Sequence, residues 1–256
     1  MKQLVLDHGY VELIESWGSD ESVICAARMS TQQGFKGWGP KCNACRQALV
    51  RVGVPCGACE KGEAVAGDEK LLRYLWENSH ATPFEMAGAV IEVQAPIFVF
   101  REWHRHRTQS YNEMSARYAP LPDVNYVPTV ERLMVKANVN KQAQGTGEAL
   151  TETNADIFRC VVERVYEELQ AKYEDALANG VPKELARIVL PVGRYSKMRA
   201  SANLRNWLGF LTLRMASNAQ YEIRVYANAL HDILATKFPR TLALFDEPLA
   251  RGARRM

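Results

Sequence analysis

Apolar positions along this chain follow strand-like and helix-like periods in a mixed order. Residues 11–17 and 86–93 read as strands, and Ser19 is placed to cap a helix running through Ala27. Leu71, Leu72 and Leu75 recur at helical spacing over residues 68–78. Pro96 suits a first helical turn, after which Ile97, Phe98, Phe100 and Trp103 form one apolar side. The longest helical signal covers residues 156–177, where Ile157, Cys160, Val161, Val165 and Leu169 repeat and Asn179-Gly180 supplies the stop. A helix after Pro182 to about Ile188, a strand over 195–202 and helices over 204–216 and 219–237 complete the order. That mixture predicts an α+β fold. Residues 135–149, VKANVNKQAQGTGEA, carry neither period and read as a connection.

A chain of 256 residues with 47% hydrophobic and 24% charged residues can bury a core of its own. We expect one main domain, 1–256, interrupted by an inserted segment, 31–66. No apolar run approaches the roughly 20 residues that span a bilayer, and the opening MKQLVLDHGY lacks a signal core, so a cytoplasmic location is expected, with no membrane partner. The net charge of +3 is too small to point to a polyanion, and nucleic acid is not an expected partner. The arginine-bearing end, ARGARRM, reads as a solvated terminus.

Cysteine spacing supplies the first chemistry. Cys42 and Cys45, then ten residues, then Cys56 and Cys59 form a C-x-x-C pair of pairs. Each pair can set two thiolates on one side of a tetrahedral ion, so a closed structural zinc site is expected, with redox thiols or idle cysteines as the alternatives. Cys25 and Cys160 sit in helical apolar patterns and are expected to be buried.

The richest stretch is REWHRHRTQSYNEMSARY, residues 101–118, which holds four arginines and two histidines beside two carboxylates. A basic run is often only a solvated face. Guanidinium forks also suit phosphates, and imidazoles and carboxylates suit heterocycles, so an anionic, heterocyclic ligand is the functional reading. The order Arg105-His106-Arg107, seven residues, then Ser115, flanked by Asn112, Glu113, Arg117 and Tyr118, resembles the signature of the flavin-dependent thymidylate synthases. Residues 68–85, 184–196 and 203–223 resemble three further segments of that family in the right order. The likeness extends from about Val11 to Leu234, and the cysteine segment stands where the family has a shorter connection.

The resemblance implies an antiparallel sheet with packed helices, a homotetramer, and conversion of dUMP to dTMP with methylenetetrahydrofolate as carbon donor, FAD as cofactor and NADPH as electron source. Residue by residue it implies that His80, Thr82, Arg105, His106, Arg107, Glu113, Asn203 and Arg205 contact FAD. Glu102, Arg105, Glu113, Ser115, Ala116, Arg117, Arg187 and Arg214 are assigned to dUMP, with Arg214 as the catalytic group that favours the ionised pyrimidine. Four positions depart from the family: Glu102 replaces a common glutamine, Ala116 a common glycine, Gly209 an asparagine or histidine, and Asn218 a histidine. The competing readings are a zinc-ribbon nucleic-acid-binding protein and an FAD-binding scaffold without synthase activity.

Overall fold

The computed structural model describes residues 1–39, 67–135 and 150–248. Cys42, Cys45, Cys56 and Cys59, nearly all of the polar connection and the whole of the arginine-bearing end lie outside the described residues. Within them the chain forms β1 (Lys2–Val5), β2 (Gly9–Trp17), α1 (Asp20–Arg28), α2 (Glu69–Glu77), β3 (Gly88–Pro96), α3 (Ile97–Trp103), β4 (Ser110–Glu113) and α4 (Val130–Met134). There follow α5 (Glu152–Ala178), α6 (Lys183–Ala186), β5 (Tyr195–Asn203), α7 (Leu204–Arg214), α8 (Tyr221–Lys237) and α9 (Pro239–Asp246). The strands form a sheet in the order β1-β2-β3-β5-β4, in which β1 pairs antiparallel with β2 and β4 with β5. This is the expected α+β class. The chain divides into two compact units, the first of residues 1–14, 90–201 and 213–230, the second of 15–89, 202–212 and 231–256.

In the first unit, strand alternation sets what is buried. Along β3, Ile91, Val93 and Ala95 are buried while Glu92 and Gln94 are not. Along β5, Ser196, Met198 and Ala200 are buried while Lys197 and Arg199 face solvent. Val99, Phe100 and Trp103 bury one side of α3, and Ile223, Tyr226, Ala227 and Leu230 bury one side of α8. Arg194 is fully buried, and its guanidinium donates to the Pro122 carbonyl and the Asp123 carboxylate, both at 2.8 Å, and to Gln170 at 2.7 Å. A buried cation requires such partners. They tie the approach to β5 onto α5.

The second unit is helical in character, with Val23, Ile24, Leu72, Leu75, Phe84, Trp207, Leu208, Phe210 and Phe245 in its core. Ser19 caps α1 in a reciprocal capping box with Ser22, as the sequence predicts. The Asn203 side chain does the same for α7, accepting from the Asn206 amide at 2.9 Å. Gly88 is required by close approach, because a Cβ there would collide with the Trp17 ring and the Ala202 carbonyl. Asp68 is buried, pairs with Arg28, and accepts from the amides of Lys36 at 2.6 Å and Gly37 at 3.1 Å. Trp38 donates to Glu21 at 2.8 Å beneath the Arg240 guanidinium, and Arg240 also pairs with Glu69 at 2.9 Å. These contacts hold Gly39 and Gly67, which flank the cysteine segment, close together.

Three sequence readings are corrected. Cys25 and Cys160 lie on helices as expected, yet both thiols are exposed. On α5 the apolar stripe is real but uncovered in the single chain: Ile157, Phe158, Val161 and Val165 are exposed, and Ala155 and Tyr173 are the helix's buried residues. Helical periodicity reports a face, and what covers that face is a separate matter. The sequence reading also passed over β1, α4 and α9, of which the first two are only 4 and 5 residues long. Among the described residues no helix is long and apolar enough to cross a membrane.

Candidate functional site

The arginine motif begins as the tail of α3 and turns through residues 104–109 into β4. Aromatic contacts hold this turn. The Trp103 indole donates to Gln109 at 3.0 Å in the core, the Tyr111 hydroxyl donates to the His106 carbonyl at 2.6 Å, and the His104 ring meets the edge of Tyr111. Burial pushes the Tyr111 phenol up to about 12, so it remains a donor at any ordinary pH.

Two side chains of this motif converge on Arg214 at the end of α7. Its Nη1 lies 2.7 Å from a Glu102 carboxylate oxygen, its Nη2 donates to the Glu102 carbonyl at 2.9 Å, and its Nε donates to His106 Nε2 at 2.8 Å. The guanidinium is thus fixed along its whole edge. Burial, and then the neighbouring Arg214 charge, lower the His106 pKa to about 4, against the smaller opposing pull of Glu102. A neutral ring is what the contact requires, since Nε2 must accept from Arg214. Glu102, expected at the substrate, therefore serves first as the counter-ion of Arg214.

A second cluster surrounds a cavity of about 590 Å³ in the first unit, lined by Glu113, Ser115, Ala116 and Arg187 together with Arg101, Glu184 and Ser196. The chain from Ser115 closes into a turn in which the amides of Tyr118 and Ala119 both donate to the Ser115 carbonyl. Ser115 Oγ accepts from the Arg117 amide at 3.3 Å. Arg117 pairs with Glu184 at 3.3 Å, and the exposed Arg187 uses its Nε on the Glu184 carbonyl at 3.2 Å. Segment 187–195 is held by backbone bonds from Ile97 to Arg194, Phe98 to Val192 and Tyr126 to Gly193. Four expected substrate residues from two distant stretches thus share one cavity. Sequence reasoning assigned no role to Arg101, Glu184 or Ser196. For Arg101 the signal was its position one helical turn before Arg105.

The residues assigned to flavin divide between the units. Arg105, His106, Arg107 and Glu113 belong to the first unit, and His80, Thr82, Asn203 and Arg205 to the second. Arg105 and Arg107 are exposed, with no side-chain partner among the described residues. His80 is exposed beside the Tyr74 ring, and Thr82 opens a short 3-10 turn. Arg205 pairs with Glu85 at 2.6 Å. Gly209 has open space where a Cβ would point. Among the described residues there is no group of His, Cys, Asp or Glu suited to a metal.

The family described as Thy1, thymidylate synthase complementing protein, matches residues 12–240. A flavin-dependent thymidylate synthase from Ehrlichia ruminantium is 36% identical over 243 residues, covering 95% of this chain and 72% of the relative. One from Thermus thermophilus is 36% identical over 249 residues, covering 97% and 80%. Among solved structures, the UMP/dUMP methylase PolB from Streptomyces cacaoi, bound with 5-Br UMP, aligns at a TM-score of 0.73 and 30% identity, covering 94% of this chain and 95% of that one. With a family match over most of its length and relatives that align over 95% and 97% of it, the chain belongs to the flavin-dependent thymidylate synthase family.

Proposed function

We propose that this chain makes dTMP from dUMP in the cytoplasm, taking the methylene from methylenetetrahydrofolate and electrons from NADPH by way of FAD. The observation that supports this best is the cavity where Glu113, Ser115, Ala116 and Arg187 meet, because it joins hydroxyl and guanidinium donors with a carboxylate acceptor. A nucleotide monophosphate needs that combination.

The residues assigned to FAD offer donors of the kind that cofactor takes. Arg105 and Arg107 are exposed cations without side-chain partners among the described residues, as a pyrophosphate requires. His80 and Thr82 supply a ring face and a hydroxyl, and Asn203 and Arg205 would turn from their present helix-cap and Glu85 contacts. Bound flavin supplies the hydride chemistry. The remaining work belongs to the chain. The 115–117 turn and Arg187 hold the phosphate, and Glu113 accepts from the nucleotide. Arg214 stabilises negative charge on the pyrimidine with its guanidinium, held in place by Glu102 and neutral His106.

The subunits are proposed to assemble as a homotetramer, for which the uncovered apolar stripe of α5 is suitable surface. Cys42, Cys45, Cys56 and Cys59 are proposed to bind one structural zinc. Purified protein reconstituted with FAD should form dTMP only when dUMP, methylenetetrahydrofolate and a reductant are all present. Protein that takes up no flavin, or that leaves dUMP unchanged under these conditions, would sink the proposal.

A further inference from the structure

We infer that Ser196 is a substrate-contacting residue whose hydroxyl bonds the phosphate end of the nucleotide. The inference rests on the nucleotide reading of the cavity and adds a residue to it. Ser196 is the second residue of β5, on the face it shares with the buried Met198 and Ala200, and is 1% exposed. Its Oγ has no hydrogen-bond partner, yet the residue lines the cavity that holds Ser115 and Arg187. A buried hydroxyl left unpaired is costly, and natural structures keep few of them. Alanine would fill the same space without that cost, so a serine here is explained by a partner that arrives with the ligand.

Register indicates which part of the ligand that is. β4 and β5 pair antiparallel from Ser110 opposite Ser201 to Glu113 opposite Met198. The Met114 amide then donates to the Lys197 carbonyl at 2.7 Å, which carries the pairing one step further, to the residues next to Ser115 and Ser196. Ser115 begins the turn assigned to the phosphate, and Arg187 lines the same cavity. Arg101 lines it too, with no side-chain partner among the described residues. A hydroxyl that shares a cavity with Arg101, Arg187 and a second hydroxyl is suited to donate to an anionic oxygen.

The test compares FAD-loaded wild type with Ser196→Ala and Ser196→Thr. Calorimetric titration with dUMP should show about a ten- to hundredfold weakening for Ser196→Ala, the usual loss for one hydrogen bond to a charged group, with most of the affinity kept by Ser196→Thr. Titration with deoxyuridine, which lacks the phosphate, should not separate Ser196→Ala from wild type. Without nucleotide, Ser196→Ala should unfold at the same or a higher temperature, because an unpaired hydroxyl has been removed. Unchanged dUMP affinity in Ser196→Ala, an equal loss for deoxyuridine, or a lowered unfolding temperature without nucleotide would each overturn the assignment while leaving the synthase reading in place. Wild type that binds no dUMP would overturn both.

Discussion

At the scale of single residues, the arrangement turns on how Arg214 is held. Three contacts from Glu102 and His106 fix its guanidinium, so its charge is presented in one orientation before any ligand arrives. Arg214→Ala should keep bound flavin and lose about a hundredfold or more in turnover, read by dTMP formation beside the flavin spectrum. Near-normal turnover would remove it from the mechanism. Glu102→Gln preserves an acceptor for Nη1 and should cost far less than Glu102→Ala. His106 carries a pH signature of its own. Its folded pKa of about 4 lies below its ordinary 6.5. An unfolded chain therefore takes up a proton as pH falls through 6.5 while the folded chain does not until about 4, and stability present above 6.5 is lost across that window. His106→Asn should flatten the fall in urea-unfolding stability between those two pH values. Parallel curves for variant and wild type would mean that His106 is charged in the folded protein.

At the scale of elements, the junction that brackets the cysteine segment is held by a carboxylate. Asp68 is buried at the start of α2 and serves Arg28 and two amides at once. Asp68→Ala leaves the Arg28 guanidinium and both donors unpaired and should lower stability by about 3–5 kcal/mol in chemical denaturation. A change under about 1 kcal/mol would show that the junction contributes little. Gly209 works in the opposite sense. It lies within α7 with open space at its Cβ position, so Gly209→Ala should raise stability by about 0.5–1 kcal/mol, measured the same way. The helices themselves were legible in the sequence where capping and periodicity agreed, as at Ser19 and along α5. They were not legible where an element was too short to show a period, as in β1, or where Pro239 opened a helix directly behind another.

At the scale of the whole molecule, the paired cysteines lie outside the motifs that carry the family resemblance. Two C-x-x-C pairs predict one zinc per chain, to be read by metal analysis of protein purified without chelators. Cys42→Ser combined with Cys45→Ser should reduce the metal content and spare dUMP chemistry except as far as the segment supports the fold. Metal-free wild type with all four thiols open to alkylation would refute the site. The α5 stripe belongs to this scale too. Ile157, Phe158, Val161 and Val165 look like a core-facing row in the sequence and stand exposed in the single chain. Periodicity registers the apolar face alone, and the body that covers it is decided by association.

By itself the sequence determined the family, the α+β order of elements and the identity of the chemical groups, because ordered motifs and local hydrophobic period are properties of neighbouring residues. It determined which residues were rich in function without determining what each one touches. Only the tertiary structure showed Glu102 and His106 turned onto Arg214 rather than outward, Ser196 and Ser115 lining one cavity, and Cys25 and Cys160 left exposed. Each of these depends on contacts between segments far apart in the chain or on which side of an element is covered. Local spacing holds no record of either, since a side chain's direction is known but the body that meets it comes from elsewhere in the fold.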